Sequence, residues 1–291
     1  MFHGSITALI TPFRNGAVDE KAFAELVEWQ IAEGAAGLVP CGTTGESPTL
    51  SHDEHKRVVE ICVGSAAGRV PVIAGTGSNS TAEAIELTRH AKQAGADAAL
   101  VVMPYYNKPT PEGQYRHFKA INDAVDLPVI IYNIPGRSVV DMSVETMARL
   151  AKLPNMVGVK DATADLVRPL ATRLAIGPDF CQLSGEDATV LPFLAQGGHG
   201  CISVTANVAP RLCADLHAAW GKGDIGGAQR TNERLLPLHK ALFVESSPGP
   251  VKYAASLLGR CTPDTRLPLC EVAASTRQQV EQAMRGVGLL N

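Results

Sequence analysis

Short apolar runs rich in β-branched residues alternate along this chain with longer stretches in helical period. The runs lie near residues 6–11, 37–41, 70–75, 98–103, 128–133, 156–160, 180–184 and 200–204. Glycine and proline mark many of the joints, at Gly34, Gly68, Pro71, Gly95, Pro128, Pro154, Gly177 and Gly197, as expected where elements stop. The stretches between carry helix starts. Asp19 suits the cap of a helix over 20–33, and Ser51 with Glu54 reads as a capping box for one over 52–66. Ser80 or Thr81 starts a helix to residue 94, and Pro111 with Glu112 opens another to residue 124. Strand–helix pairs repeated eight times predict an α/β fold, a (β/α)8 TIM barrel over residues 1–222. An open doubly wound sheet is the alternative. Beyond residue 222 three helical stretches follow without a strand, near 224–243, 248–258 and 271–286. They predict a C-terminal helical extension, 223–291, that does not move independently, because no low-complexity linker precedes it.

Composition narrows the function classes. Of 291 residues 45% are hydrophobic and 19% charged, with a formal net charge of −3 and no long basic run. That disfavours nucleic acid and anionic membranes as partners. No apolar stretch is long enough to span a bilayer. The seven cysteines are odd in number and lack C-x-x-C spacing. That fits reduced thiols in a cytoplasmic protein better than disulfides or a zinc site. Met1 to Phe13 lacks a basic segment and a small-residue cleavage site, and reads as a first strand.

The candidate chemistry sits where strands end. Lys160 closes the run Met156-Val157-Gly158-Val159-Lys160. Burying an ammonium costs hydration and favours the neutral amine, which can form a Schiff base with a carbonyl. A lysine snorkelling to solvent is the structural alternative. Tyr132 ends the preceding run 28 residues earlier, and neighbouring strands lie about 4.8 Å apart. Both side chains can therefore reach one small molecule. Alternation places Gly158 with Lys160 inside the barrel, leaving space beneath the amine, and turns Val157 and Val159 to the helices. Asp161 then points away from Lys160 and leaves it unpaired.

Gly42-Thr43-Thr44-Gly45-Glu46 follows the second run and can converge N–H groups and hydroxyls on a small carboxylate. Cys41 before it reads as core. Tyr105 and Tyr106 sit in a loop after the fourth run, where interface packing alone would explain them. Arg137, five residues past Tyr132, could clamp a second carboxylate. The eight histidines form no ligand pattern, and no metal is expected. The loop Thr205–Ala209 has no glycine, which argues weakly against a phosphate cup there.

Together the G-T-T-G-E turn and the Y-N-I-P…K-D-A pairing resemble the pyruvate-dependent class I lyases, the family of the dihydrodipicolinate synthases (4-hydroxy-tetrahydrodipicolinate synthases) and N-acetylneuraminate lyases. The resemblance runs from Ser5 to about Lys252 and looks closest to the synthase branch, with support from 105–109, Arg137, 183–187 and 197–207. It implies condensation of pyruvate with L-aspartate-4-semialdehyde through a Lys160 Schiff base, the first committed step of diaminopimelate and lysine biosynthesis, with no cofactor. It implies proton relay by Tyr132 through Thr43 to Tyr106, the last entering from a neighbouring subunit of a homo-oligomer, a dimer at least and commonly a tetramer built from dimers. It implies that Thr44 holds the pyruvate carboxylate and Arg137 that of the semialdehyde, with backbone groups from Gly185 and Ile202. It implies feedback inhibition by L-lysine at Ser47, Pro48, His52, His55, Asn79, Glu83 and Tyr105. Pro48 departs from the usual small residue, which bears on the strength of inhibition. A second departure is Ser246-Ser247-Pro248-Gly249-Pro250-Val251-Lys252, where the family often has Asn-Pro-x-Pro-x-Lys. This segment lies outside the expected catalytic strands and little mechanistic weight attaches to it. Two other readings are a sister aldolase acting on a sugar-derived 2-keto acid and a non-catalytic barrel that binds a small amino acid.

Overall fold

The computed structural model describes residues 1–291. Eight parallel strands form the barrel wall: β1 (Gly4–Ala8), β2 (Gly37–Val39), β3 (Ile73–Gly75), β4 (Ala98–Val102), β5 (Val129–Asn133), β6 (Met156–Asp161), β7 (Cys181–Ser184) and β8 (Gly200–Ser203). The hydrogen-bonded order runs β2-β1-β8-β7-β6-β5-β4-β3, and a bridge between Leu38 and Val72 closes the ring between β2 and β3. The open doubly wound alternative is thereby excluded. A two-stranded hairpin, Phe13–Arg14 with Ala17–Val18, plugs into the chain before the first helix; two-residue strands leave no readable period.

The outer layer is α1 (Glu20–Ala32), α2 (His52–Ala66), α3 (Thr81–Ala94), α4 (Pro111–Ala124), α5 (Val144–Leu150), α6 (Arg168–Ile176), α7 (Val190–Ala195) and α8 (Pro210–Gly221). The caps form as the local chemistry dictates. Asp19 accepts from the Ala22 amide at 3.0 Å. Ser51 and Glu54 complete their capping box. Pro111 opens α4 as expected, in the first helical position, where its missing N–H costs nothing, and Thr110 caps it.

Alternation along the strands sorts the core into two layers. Ala98 and Leu100 of β4, Ile130 and Tyr132 of β5, and Cys181 and Leu183 of β7 pack inside the barrel. Ala99, Val101, Val129 and Ile131 pack outward with the helices. Val157 is the exception to the expected pattern. It packs against the inner layer, because the β5–β6 register slips between Val129 and Ile130. A bulge moves one side chain to the other face. Val159, beyond the slip, faces outward as expected.

The extension comprises α9 (Ile225–Ala241), α10 (Gly249–Leu257) and α11 (Ala274–Gly286). Its Leu235, Val251, Ala254, Val280 and Met284 are buried in the same cluster as the barrel's outer layer. Shared apolar burial, not a linker, joins it to the barrel.

Candidate active site

Lys160 and Tyr132 are direct register partners on adjacent strands. The Lys160 side chain is enclosed, at 5% exposure, so the snorkelling alternative fails. Its Nζ lies 4.2 Å from the centroid of the Tyr132 ring. Asp161 turns the other way: it accepts from Arg168 Nε at 3.1 Å and from Thr163 Oγ1 at 2.6 Å. No carboxylate of the chain pairs with Lys160, and its amine keeps its nitrogen free for a ligand. Gly158 serves a different purpose from the one expected. A Cβ there would stand 2.4 Å from the Cys181 carbonyl oxygen, so glycine permits β7 to approach β6 and leaves no spare space. Gly185 acts likewise: its Cβ would stand 2.6 Å from that of Ala162, and its amide donates to the Asp161 carbonyl at 2.6 Å. Ile202 is fully buried in the inner layer.

The threonine turn begins and ends in left-handed backbone, with φ near 55° at both Cys41 and Glu46. Non-glycine residues rarely take that conformation. Thr44 is buried, and Thr11 Oγ1 donates to the Gly45 carbonyl at 2.7 Å. Burial pushes the Cys41 thiol far up, which keeps it protonated and suits its reading as core.

A cavity of about 420 Å³ brings together Thr43, Arg137 and Ile134 with Ser47, Pro48, His52, His55, Glu83 and Tyr105. One opening therefore gathers a residue of the threonine turn, the candidate carboxylate clamp and most of the expected lysine positions. Asn79 is not among its lining residues; its carbonyl accepts from Asn107 Nδ2 at 2.9 Å. His52 Nε2 and Glu83 Oε1 are 2.6 Å apart, and Ser78 Oγ also donates to Glu83. These contacts, Ser78 foremost, hold the Glu83 carboxyl below its ordinary range. His55 donates from Nε2 to the Gly75 carbonyl at 2.8 Å. Its Nδ1 has no partner, and burial lowers its pKa to about 4. Neutral His55 thus offers a bare acceptor in a residue that lines the cavity.

Tyr106 is not gathered into the site of its own chain. It is 87% exposed on a left-handed residue with φ 73°, beside half-exposed Tyr105. No hydrogen bond within the chain joins Tyr132, Thr43 and Tyr106.

Two features carry more than the sequence assigned to them. Glu186, half-buried just past β7, has its carboxyl pushed up by burial and by Asp187, while Lys160 and Arg137 oppose the shift. The segment 246–252, given little mechanistic weight from the sequence, touches the site twice. Arg137 Nη2 donates to the Ser247 carbonyl at 3.4 Å. Lys252 Nζ reaches the last residue of the threonine turn, Glu46 Oε1, at 2.7 Å. A signal was present: a lysine inside the apolar run Pro250-Val251-Lys252-Tyr253-Ala254-Ala255.

The model of the dihydrodipicolinate synthetase family matches residues 1–286. A 4-hydroxy-tetrahydrodipicolinate synthase of Rhodospirillum centenum is 72% identical over 290 residues, covering 100% of both chains. A chloride-inhibited dihydrodipicolinate synthase of Acinetobacter baumannii, solved in complex with pyruvate, superposes with a TM-score of 0.97 at 46% identity, covering 100% of both chains. A DHDPS from Cyanidioschyzon merolae, solved with lysine bound, gives a TM-score of 0.96 at 41% identity, covering 99% of both.

Proposed function

The chain belongs to the dihydrodipicolinate synthetase family and is an enzyme, a lyase, and from that premise we propose that it joins pyruvate to L-aspartate-4-semialdehyde through an imine on Lys160. The carrying observation is a buried amine with no carboxylate partner, set 4.2 Å over the ring of Tyr132 at the ends of paired strands. The Lys160 amine adds to the pyruvate ketone and expels its oxygen as water, leaving an imine. Loss of a methyl proton gives the enamine, whose carbon attacks the aldehyde. The new alkoxide takes a proton, and the semialdehyde's own amine displaces Lys160 as the ring closes. Tyr132 exchanges these protons. The covalent imine is the electron sink, so the route uses no cofactor.

Thr44 holds the pyruvate carboxylate, and Arg137 holds the semialdehyde carboxylate, with Gly185 and Ile202 supplying backbone groups. The exposure of Tyr106 supports its donation to the site of a second copy, linked through Thr43 to Tyr132. A second exposed patch, Val167, Leu170 and Leu174 along α6, supports assembly of dimers into a tetramer. L-Lysine inhibits by placing its ammonium on Glu83, with His52, His55, Ser47, Pro48 and Tyr105 around it in the same cavity and Asn79 outside it. The absence of any helix long and apolar enough to cross a membrane is compatible with work in the cytoplasm. The lysine-bound relative of Cyanidioschyzon supports the inhibitor assignment by similarity.

Borohydride reduction in the presence of pyruvate tests the reading. Intact-mass analysis is expected to show one pyruvyl adduct per chain, mapped to Lys160; its absence would refute the Schiff base. Turnover of aspartate semialdehyde, measured against sugar-derived aldehydes, tests the second substrate. Turnover of the sugars alone would overturn that assignment.

A further inference from the structure

Lys252 lies far from β6 in sequence and is fully enclosed, with 0% exposure against 1% for its partner Glu46. Its Nζ donates to Glu46 Oε1 at 2.7 Å and to the Thr11 carbonyl at 2.9 Å. The Thr11 hydroxyl donates to the carbonyl of Gly45, the residue before Glu46. A ring of contacts therefore runs from Lys252 to Thr11, Gly45, Glu46 and back. The other carboxylate oxygen, Glu46 Oε2, accepts from the backbone amide of Arg266 at 3.0 Å. Lys252 Nζ and the Arg266 guanidinium lie 4.1 and 4.3 Å from the ring of Phe13. Both cations come from the C-terminal extension.

Glu46 is also one of the two left-handed residues that bound the threonine turn. That conformation is strained for a residue with a Cβ, so the turn needs external support. A buried ion pair seldom adds net stability over apolar groups of the same volume, because both charges lose hydration. Its benefit here is geometric: two directed bonds on one carboxylate fix where the turn ends, and hence where Thr43 and Thr44 stand.

We infer that Lys252 is a positioning residue for pyruvate binding, acting through Glu46 on the Thr43–Thr44 turn, so that the C-terminal extension braces the active site. The roles of Thr44 at the pyruvate carboxylate and of Thr43 beside it in the relay are the reading proposed above, and the inference rests on it.

The test uses the full chain with the pair neutralised at constant volume, Glu46→Gln with Lys252→Met, and the single variant Glu46→Gln, which keeps an acceptor for Lys252. Hydrogen exchange of the peptide over 41–47 reads the turn without reference to catalysis. The double variant is expected to keep its cooperative unfolding. Its 41–47 amides should exchange about tenfold faster or more, while helix α1 is unchanged. Its pyruvate KM should rise about tenfold, with Lys160 still labelled to completion by borohydride at saturating pyruvate. Glu46→Gln should show smaller changes in the same direction. Wild-type exchange over 41–47 together with a wild-type KM in the double variant would overturn the inference, leaving the pair as packing. A uniform rise in exchange across the barrel would also overturn it. Failure of the unmutated enzyme to form the pyruvyl adduct would instead refute the Schiff-base reading, with the exchange result still deciding whether the brace exists.

Discussion

The molecule buries two lysines and treats them in opposite ways. Lys252, in the extension, is satisfied by a carboxylate and a carbonyl at 2.7 and 2.9 Å. Burial lowers its pKa, and Glu46 pulls it back. Lys160, at the mouth of the barrel, has the face of Tyr132 and no carboxylate; the nearest candidate in sequence, Asp161, is engaged by Arg168 and Thr163. A paired buried ammonium is a tie. An amine kept from partners is available to react. Burial alone does not mark a reactive lysine; the missing counter-ion does.

Exchanging the two roles should separate chemistry from stability. Lys160→Met keeps bulk and removes the nucleophile; turnover should fall by roughly 10³-fold or more, with no pyruvyl adduct and an unchanged urea midpoint. Lys252→Met should do the reverse to the fold. It leaves the Glu46 carboxylate buried without its cation and with only the Arg266 amide as partner, a loss of about 3–5 kcal/mol, read as a lower urea midpoint. If both variants lost stability alike, the contrast between tie and nucleophile would fail.

Smaller changes sharpen the same contrast. Tyr132→Phe retains the ring against Lys160 and removes only the hydroxyl, so kcat should drop about 100-fold while borohydride still traps the imine. Glu83→Gln should raise the lysine concentration for half inhibition about tenfold by removing one charge-assisted bond, with uninhibited kcat unchanged. The smallest effect concerns pH at the brace. Hydrogen bonds from Arg266 foremost hold the Glu54 carboxyl near a pKa of about 2. A depressed carboxyl stabilises the fold above its ordinary range and loses that contribution as pH falls toward 2. Wild type should therefore lose more stability between pH 5 and 3 than Glu54→Gln does, by a modest margin because the pair is partly solvated.

The eight strands were legible because each carries a buried apolar run bounded by turn residues, and the first helices because Asp19 and the Ser51–Glu54 box announce them. The bulge at Val157 was not, since a one-residue slip depends on how β5 meets β6 rather than on either strand. Tyr132 and Lys160 could be matched from strand order alone, because neighbouring parallel strands align their ends. The weight given to residues 246–252 was too low because sequence distance hides the return of α10 to the threonine turn. The role of Gly158 was misread for the same kind of reason: what a missing Cβ makes room for is set by the neighbouring strand.

By itself the sequence determined the alternation of elements, the residues that can do chemistry and the side of the strand each occupies, because these follow from period, caps and side-chain type. Only the tertiary structure decided which buried lysine is free, which strand crowds a glycine, and how the extension grips the turn 206 residues away in sequence. Those outcomes depend on long-range contacts, and a carboxylate can pair with only the cation that the fold brings within hydrogen-bonding reach.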